Sequence, residues 1–192
     1  MIIQWYGENC FRLKIGDTSI LTDPTNKKLK GDLTIYTSYP FKDLEKFQSA
    51  GIINYPGEYE LKNIFVTGFL NPGSNQQTIK TIYQISWNNF LIGILGYLKP
   101  KELNEWQKEL GNIDILFIPV GGKPFISIEQ AVELVKYFKP KLVIPTLFKQ
   151  IKQVSLFAKQ LGKFKLKPQL KIAITSSGLE RQELEIGCLT KS

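Results

Sequence analysis

Apolar and polar residues alternate through the first part of the chain and then shift to helical spacing. Phe11-Arg12-Leu13-Lys14-Ile15 is a strict two-residue alternation, the signature of a strand with one buried face. Ile2–Tyr6 and Ser19–Thr22 flank it, separated from it by Gly-Glu-Asn and Gly-Asp, both hairpin-forming. Leu33–Thr37 is an apolar, β-branched run that predicts a buried strand. Further strands are predicted at Ile64–Thr67, Thr81–Trp87 and Phe90–Leu95, with Asn88-Asn89 turning between the last two. Lys99-Pro100 predicts a helix start, with Leu103, Trp106 and Leu110 on one face and Gly111 as its stop. Ile113–Val120, apolar apart from Asp114, predicts another strand. Ser127 and Gln130 then stand at the reciprocal positions of a capping box, ahead of Ala131, Leu134, Val135 and Phe138 at i, i+3, i+4 and i+7. A short strand at Leu142–Pro145, a helix from about Lys149 to Leu161, and strands near Leu170–Thr175 and Gln182–Leu189 complete the pattern. Antiparallel strands first and β-α units later predict two packed sheets with helices outside, in one domain over residues 1–192.

Composition changes this picture little. A chain of 192 residues with 43% hydrophobic and 22% charged residues suits a globular domain. No apolar run approaches the roughly 18 residues of a membrane span, and Met1-Ile2-Ile3-Gln4-Trp5 does not read as a secretory leader. Two cysteines, Cys10 and Cys188, make no disulfide framework, and the expected location is cytoplasmic. The net charge of +8 is carried mostly by lysine, densest at Lys27-Lys28-Leu29-Lys30 and from Lys159 to Lys171. Clustered lysine invites nucleic acid, yet arginine, which makes bidentate phosphate and guanine contacts, occurs only as Arg12 and Arg181.

Several segments resemble the small metal-dependent hydrolases of the metallo-β-lactamase superfamily, in particular a lactonase-like branch. They are Trp5-Tyr6-Gly7-Glu8-Asn9-Cys10-Phe11, Leu21-Thr22-Asp23-Pro24, Tyr55-Pro56-Gly57-Glu58-Tyr59-Glu60, the run from Ile113 to Gly122, and Lys139-Pro140-Lys141-Leu142-Val143-Ile144-Pro145. The resemblance covers nearly the whole chain and implies an αββα sandwich with its site at the strand ends along one edge.

The ligand positions that the resemblance implies are all replaced. Glu8 stands where a histidine is expected after the opening glycine. The His-x-His-x-Asp-His loop becomes Ser38, Pro40, Lys42 and Asp43. No histidine occurs near Asn71, the bridging aspartate is Tyr97, and the last histidine is Leu147. The chain contains no histidine at all. Zinc of this kind needs several imidazoles and carboxylates at about 2.0–2.2 Å; proline and leucine offer no donor, and a lysine ammonium repels the cation.

A matching cysteine is ordinary in the family, so Cys10 is expected in the core. The Val120-Gly121-Gly122 turn is read as structural. Ser-His-Asp and Cys-His mechanisms are excluded with histidine. A Ser38–Lys42 pair is conceivable, but adjacent Asp43 opposes the lowered lysine pKa it needs. Tyr39, Phe41, Asn71 and Phe148 are placed near the former cavity as a possible pocket rim, and Tyr39, Phe41, Tyr97 and Phe148 alternatively as fill for it. The expected function is a non-catalytic, metal-free binding or scaffold subunit without a cofactor. The expected partner is a protein or a second copy of the chain, with no membrane. The alternatives are an atypical zinc-independent hydrolase and weak nucleic-acid binding through lysines.

Overall fold

The alternating segments fold into antiparallel strands whose apolar positions share a face. In the computed structural model, which describes residues 1–42, 50–100, 106–180 and 183–192, β1 (Ile2–Gly7), β2 (Cys10–Ile15) and β3 (Thr18–Thr22) form a meander. Register places Ile3 beside Leu13 and Leu13 beside Ile20, so the three side chains enter one core. β4 (Leu33–Ile35) and β6 (Ile52–Ile53) extend this sheet in parallel, and β13 (Lys171–Ala173) pairs antiparallel with β1 at the other edge.

The second sheet runs in the order β14 (Glu185–Ile186), β12 (Leu142–Thr146), β11 (Ile115–Pro119), β10 (Phe90–Ile94), β9 (Thr78–Trp87), β8 (Ile64–Leu70) and β7 (Gly57–Leu61). Its β10–β11–β12–β14 half is parallel and the remainder antiparallel. Asn88 and Asn89 both take positive φ, 49° and 63°, which suits a two-residue turn bringing Trp87 opposite Phe90. β5 (Ser38–Pro40) pairs antiparallel with β9, off the main path.

One core lies between the sheets, with Ile3, Phe11, Leu13 and Ile20 from the first against Ile85, Ile92, Ile94 and Phe117 from the second. A second layer packs the opposite face of the second sheet (Leu116, Ile118, Val143) against α1 (Ile128–Phe138) and α2 (Ile151–Gln160). The α1 capping box forms as the sequence requires. Gln130 N–H donates to Ser127 Oγ at 3.2 Å, and Ser127 N–H to Gln130 Oε1 at 3.0 Å.

The two mixed sheets and both long helices agree with the expected sandwich, but α1 and α2 lie on the same side. The outer face of the first sheet carries Gln4, Arg12 and Lys14, too polar to bury under a helix. Arg12 covers part of it, lying 5.3 Å over the Tyr6 ring and donating to the Lys30 carbonyl. The short α3 (Ser176–Glu180) sends Leu179 into the inter-sheet core. Of the helix expected from Pro100 to Leu110, residues 101–105 lie outside the described residues and residues 106–110 form turns rather than a helix, with Trp106 and Leu110 buried. β5, β6, β7 and α3 do not follow from the sequence pattern.

Candidate functional site

The strand ends that should carry the metal site meet along one edge of the sandwich. The β1–β2 turn enters it through Gly7 and Glu8, both at positive φ (110° and 50°). Glu8 is exposed, and it is its carbonyl that serves the structure, accepting from Trp5 Nε1 at 3.1 Å and from Leu147 N–H at 3.3 Å. Asn9, one residue on, is 1% exposed.

Asn9 belongs to a buried network centred on Asp23, which follows β3 at a φ of 37°. Thr37 N–H donates to Asp23 Oδ1 at 2.8 Å, while Thr37 Oγ1 and Asn9 Nδ2 both donate to Oδ2. The Ser38 N–H adds a further bond to the same carboxylate. Burial pushes the Asp23 carboxyl up to about 6, against the opposing pull of the Thr37 and Asn9 hydrogen bonds. This carboxylate is therefore committed to donors from two other chain segments, Asn9 and Thr37-Ser38. It ties the ends of β1, β3 and β4 together. Gly96, after β10, closes on this network. A Cβ there would stand 2.6 Å from Thr37 Cβ and Oγ1, at a φ of 58°.

Among the described residues, the replaced ligand positions supply no cluster of metal donors. Ser38 and Pro40 are strand residues of β5, opposite Lys80 and Thr78 of β9. Strand alternation turns Tyr39 inward, 8% exposed, against Tyr36 at 5.1 Å, and leaves Pro40 exposed. Lys42 is exposed, and no hydrogen bond joins it to Ser38 among the described residues. Asp43 lies outside the described residues. Tyr97 is half-buried beside Phe125, with ring centroids 6.0 Å apart. Burial raises its hydroxyl pKa, and the charges of Asp23, Glu8 and Cys10 raise it further.

Leu147 is 7% exposed at a φ of 54°. Its carbonyl oxygen sits only 1.9 Å from where a Cβ on Gly121 would lie, so Gly121 is a packing requirement, whereas Gly122 is favoured by its φ of 70° alone. The aromatic positions separate as well. Phe41 is 53% exposed, and Phe148 stacks on Trp5 at 4.8 Å. Asn71 is buried but caps its own turn, its Oδ1 accepting from Gly73 N–H at 2.8 Å. Cys10 is fully buried, and burial lifts its thiol to about 11.

This donor set does not fit the family's metal. Among the described residues, no three His, Cys, Asp or Glu side chains are grouped to hold an ion. The buried carboxylate, Asp23, already receives four donors. Asn9 Oδ1, buried without a hydrogen-bond partner, is a neutral amide oxygen that cannot balance a divalent charge. Sequence reasoning overlooked the Asn9–Asp23–Thr37 network, although Asn9 and Asp23 lie inside two of the segments that carry the resemblance.

Comparison with known proteins agrees with this fold. The family model for the beta-lactamase superfamily domain matches residues 2–147. A UPF0173 protein of Pyrococcus abyssi is 24% identical over 172 residues, covering 76% of this chain and 82% of its own. A Thermotoga maritima structure assigned to the Zn-dependent hydrolases of the metallo-beta-lactamase superfamily superposes with a TM-score of 0.76. It is 20% identical, over 99% of this chain and 100% of that one. The metallo-beta-lactamase fold protein YhfI of Bacillus subtilis gives 0.67 at 12% identity, over 100% and 96% of the two chains. Igni18, a metallo hydrolase of Ignicoccus hospitalis, gives 0.66 at 17% identity, over 91% and 99%. The chain belongs to the beta-lactamase superfamily and has the metallo-β-lactamase fold, and it carries no histidine at any of the family's ligand positions.

Proposed function

We propose that this chain is a non-catalytic, metal-free member of its superfamily that acts as a binding or scaffold subunit. The observation that carries the reading is the fate of the ligand loop. Its first three residues pair with β9 as a strand, and the Leu147 side chain, which carries no donor, is buried at 7% exposure. Both changes spend on packing the positions that a hydrolase spends on a metal and its activated water. A hydrolase without zinc would need another activated nucleophile. Ser38 has no histidine to serve as base, and Lys42 is exposed with no bond to it.

The test is turnover of lactone, phosphodiester, thioester and β-lactam substrates by the purified chain, with and without added zinc or manganese. The reading expects no hydrolysis above the uncatalysed rate under either condition. Metal-dependent turnover removes it. Metal-independent turnover abolished by Ser38→Ala establishes the atypical hydrolase instead.

A further inference from the structure

The positive charge of this chain is not spread evenly. Residues 134–179 contain ten lysines and no aspartate or glutamate, so the remainder of the chain is slightly acidic. A lysine-rich composition alone raises lysine everywhere; it does not clear carboxylates from one stretch. The fold gathers much of this stretch at one edge. Lys163, Lys165 and Lys167 line a cavity of about 280 Å³ against Leu184, Glu185 and Ile186. Lys136, Lys139 and Lys141, at the end of α1, line a second of about 510 Å³ that shares Leu184. The six lysines thus border two adjoining cavities, with Glu185 as the carboxylate among them. Among the described residues, the carboxylate in ion-pair reach of these ten lysines is Glu183, 4.0 Å from Lys163.

The same edge exposes apolar side chains. Phe164 is 76% and Leu170 62% exposed, the two most exposed large hydrophobics among the described residues, and both lie between Lys163 and Lys171. Along α2, Ile151 and Leu156 are exposed at 47% and 45%, with Lys152 and Lys159 on the same helix. Holding such side chains in water has no structural return here. Phe164 and Leu170 cap no core, while their neighbour Leu166 packs into the helical layer.

We infer that the edge formed by residues 136–141 and 163–171 is a peripheral docking surface for an anionic lipid bilayer. Lysines there would sit at the headgroups while Phe164 and Leu170 enter the acyl boundary. Charge complementarity calls for a polyanion, and the apolar component selects among polyanions. Single-stranded nucleic acid is bound by aromatic platforms and arginine. The exposed large side chains of this edge are Tyr137, Phe164 and aliphatic Leu170, and residues 134–179 contain no arginine; the missing arginine and the aliphatic Leu170 favour the bilayer. The absence of long apolar runs, from which no membrane partner was expected, concerns spanning segments only. No helix among the described residues is long and apolar enough to cross a membrane, so attachment would be at the surface. This inference is independent of whether the strand-end site is inert.

The experiment is co-sedimentation of the full chain with vesicles of phosphatidylglycerol and phosphatidylcholine in about equal parts, and with phosphatidylcholine alone. It is repeated for Lys163→Gln/Lys165→Gln/Lys167→Gln and for Phe164→Ser/Leu170→Ser. Circular dichroism melts confirm that these exposed positions leave the fold intact. Binding to the anionic vesicles only, released by salt, is expected. Each lysine removed should weaken it by about fivefold, and the apolar double variant should also release the protein. No binding to anionic vesicles overturns the proposal. So does wild-type binding by the Phe164→Ser/Leu170→Ser variant, or retention by single-stranded RNA with the vesicles ignored.

Discussion

Replacing Asp23 with asparagine should remove a specific pH dependence of stability. The wild-type carboxyl is pushed from an ordinary value of 3.8 to about 6 by complete burial. A pKa raised in the folded state means the native protein holds the proton more tightly than the unfolded chain does. The resulting stability is fully present below pH 3.8 and is lost as pH rises through about 6. Two units at about 1.4 kcal/mol each give roughly 3 kcal/mol in all. About 2 kcal/mol of that falls between pH ~4.5 and ~7.5. The Asp23→Asn side chain cannot titrate, so subtracting the variant's unfolding free energy from the wild type's cancels every other titrating group. Urea unfolding followed by circular dichroism at steps across this range supplies both curves. The wild-type advantage should shrink by about 2 kcal/mol as pH rises. A constant or growing advantage would refute this. It would mean that the bonds from Thr37, Asn9 and Ser38 outweigh burial and keep the carboxylate ionised.

Other expectations rest on contacts. Gly96→Ala places a methyl group 2.6 Å from Thr37 at a φ of 58° and should cost roughly 3 kcal/mol or more in the same denaturation assay. Gly121→Ala meets the Leu147 carbonyl at 1.9 Å, a backbone atom that cannot rotate away, and should sharply reduce folded yield. Ser127→Ala removes one half of the α1 capping box and should cost about 1 kcal/mol; Ser127→Asp should restore most of it.

The helices are legible where local chemistry decides them. α1 begins at its capping box and buries the side chains its spacing selects, because both signals come from residues within three or four positions. β5 is not legible, since Ser38-Tyr39-Pro40 becomes a strand only through pairing with β9 some forty residues away. β7 is an intermediate case. Glu58, Tyr59, Glu60 and Leu61 do alternate, but the alternation is short and coincides with the family motif, which draws the reading away from its period.

The site shows the same division. The loss of ligands is readable from single positions, such as Pro40 and Leu147, whose side chains carry no donor. The Asn9–Asp23–Thr37 network is not, because its members come from three separate strand ends, and nothing in a neutral Asn or Thr announces burial. The surroundings of the aromatic positions are not legible for a related reason. Tyr39, Phe41, Tyr97 and Phe148 share a region, yet strand alternation and stacking on Tyr36, Phe125 and Trp5 send them to different surroundings.

Whether the strand-end site can hold the family's metal is decided by a zinc-dependent melt. Protein purified without chelators is unfolded by heat with and without excess zinc. Zinc seated in the folded state at 100 times its dissociation constant would add about 2.7 kcal/mol. For a chain of this length that corresponds to a rise of roughly 5–10 °C in Tm. No rise is expected. A rise of that size, with one equivalent of metal retained after dialysis, would overturn the metal-free reading.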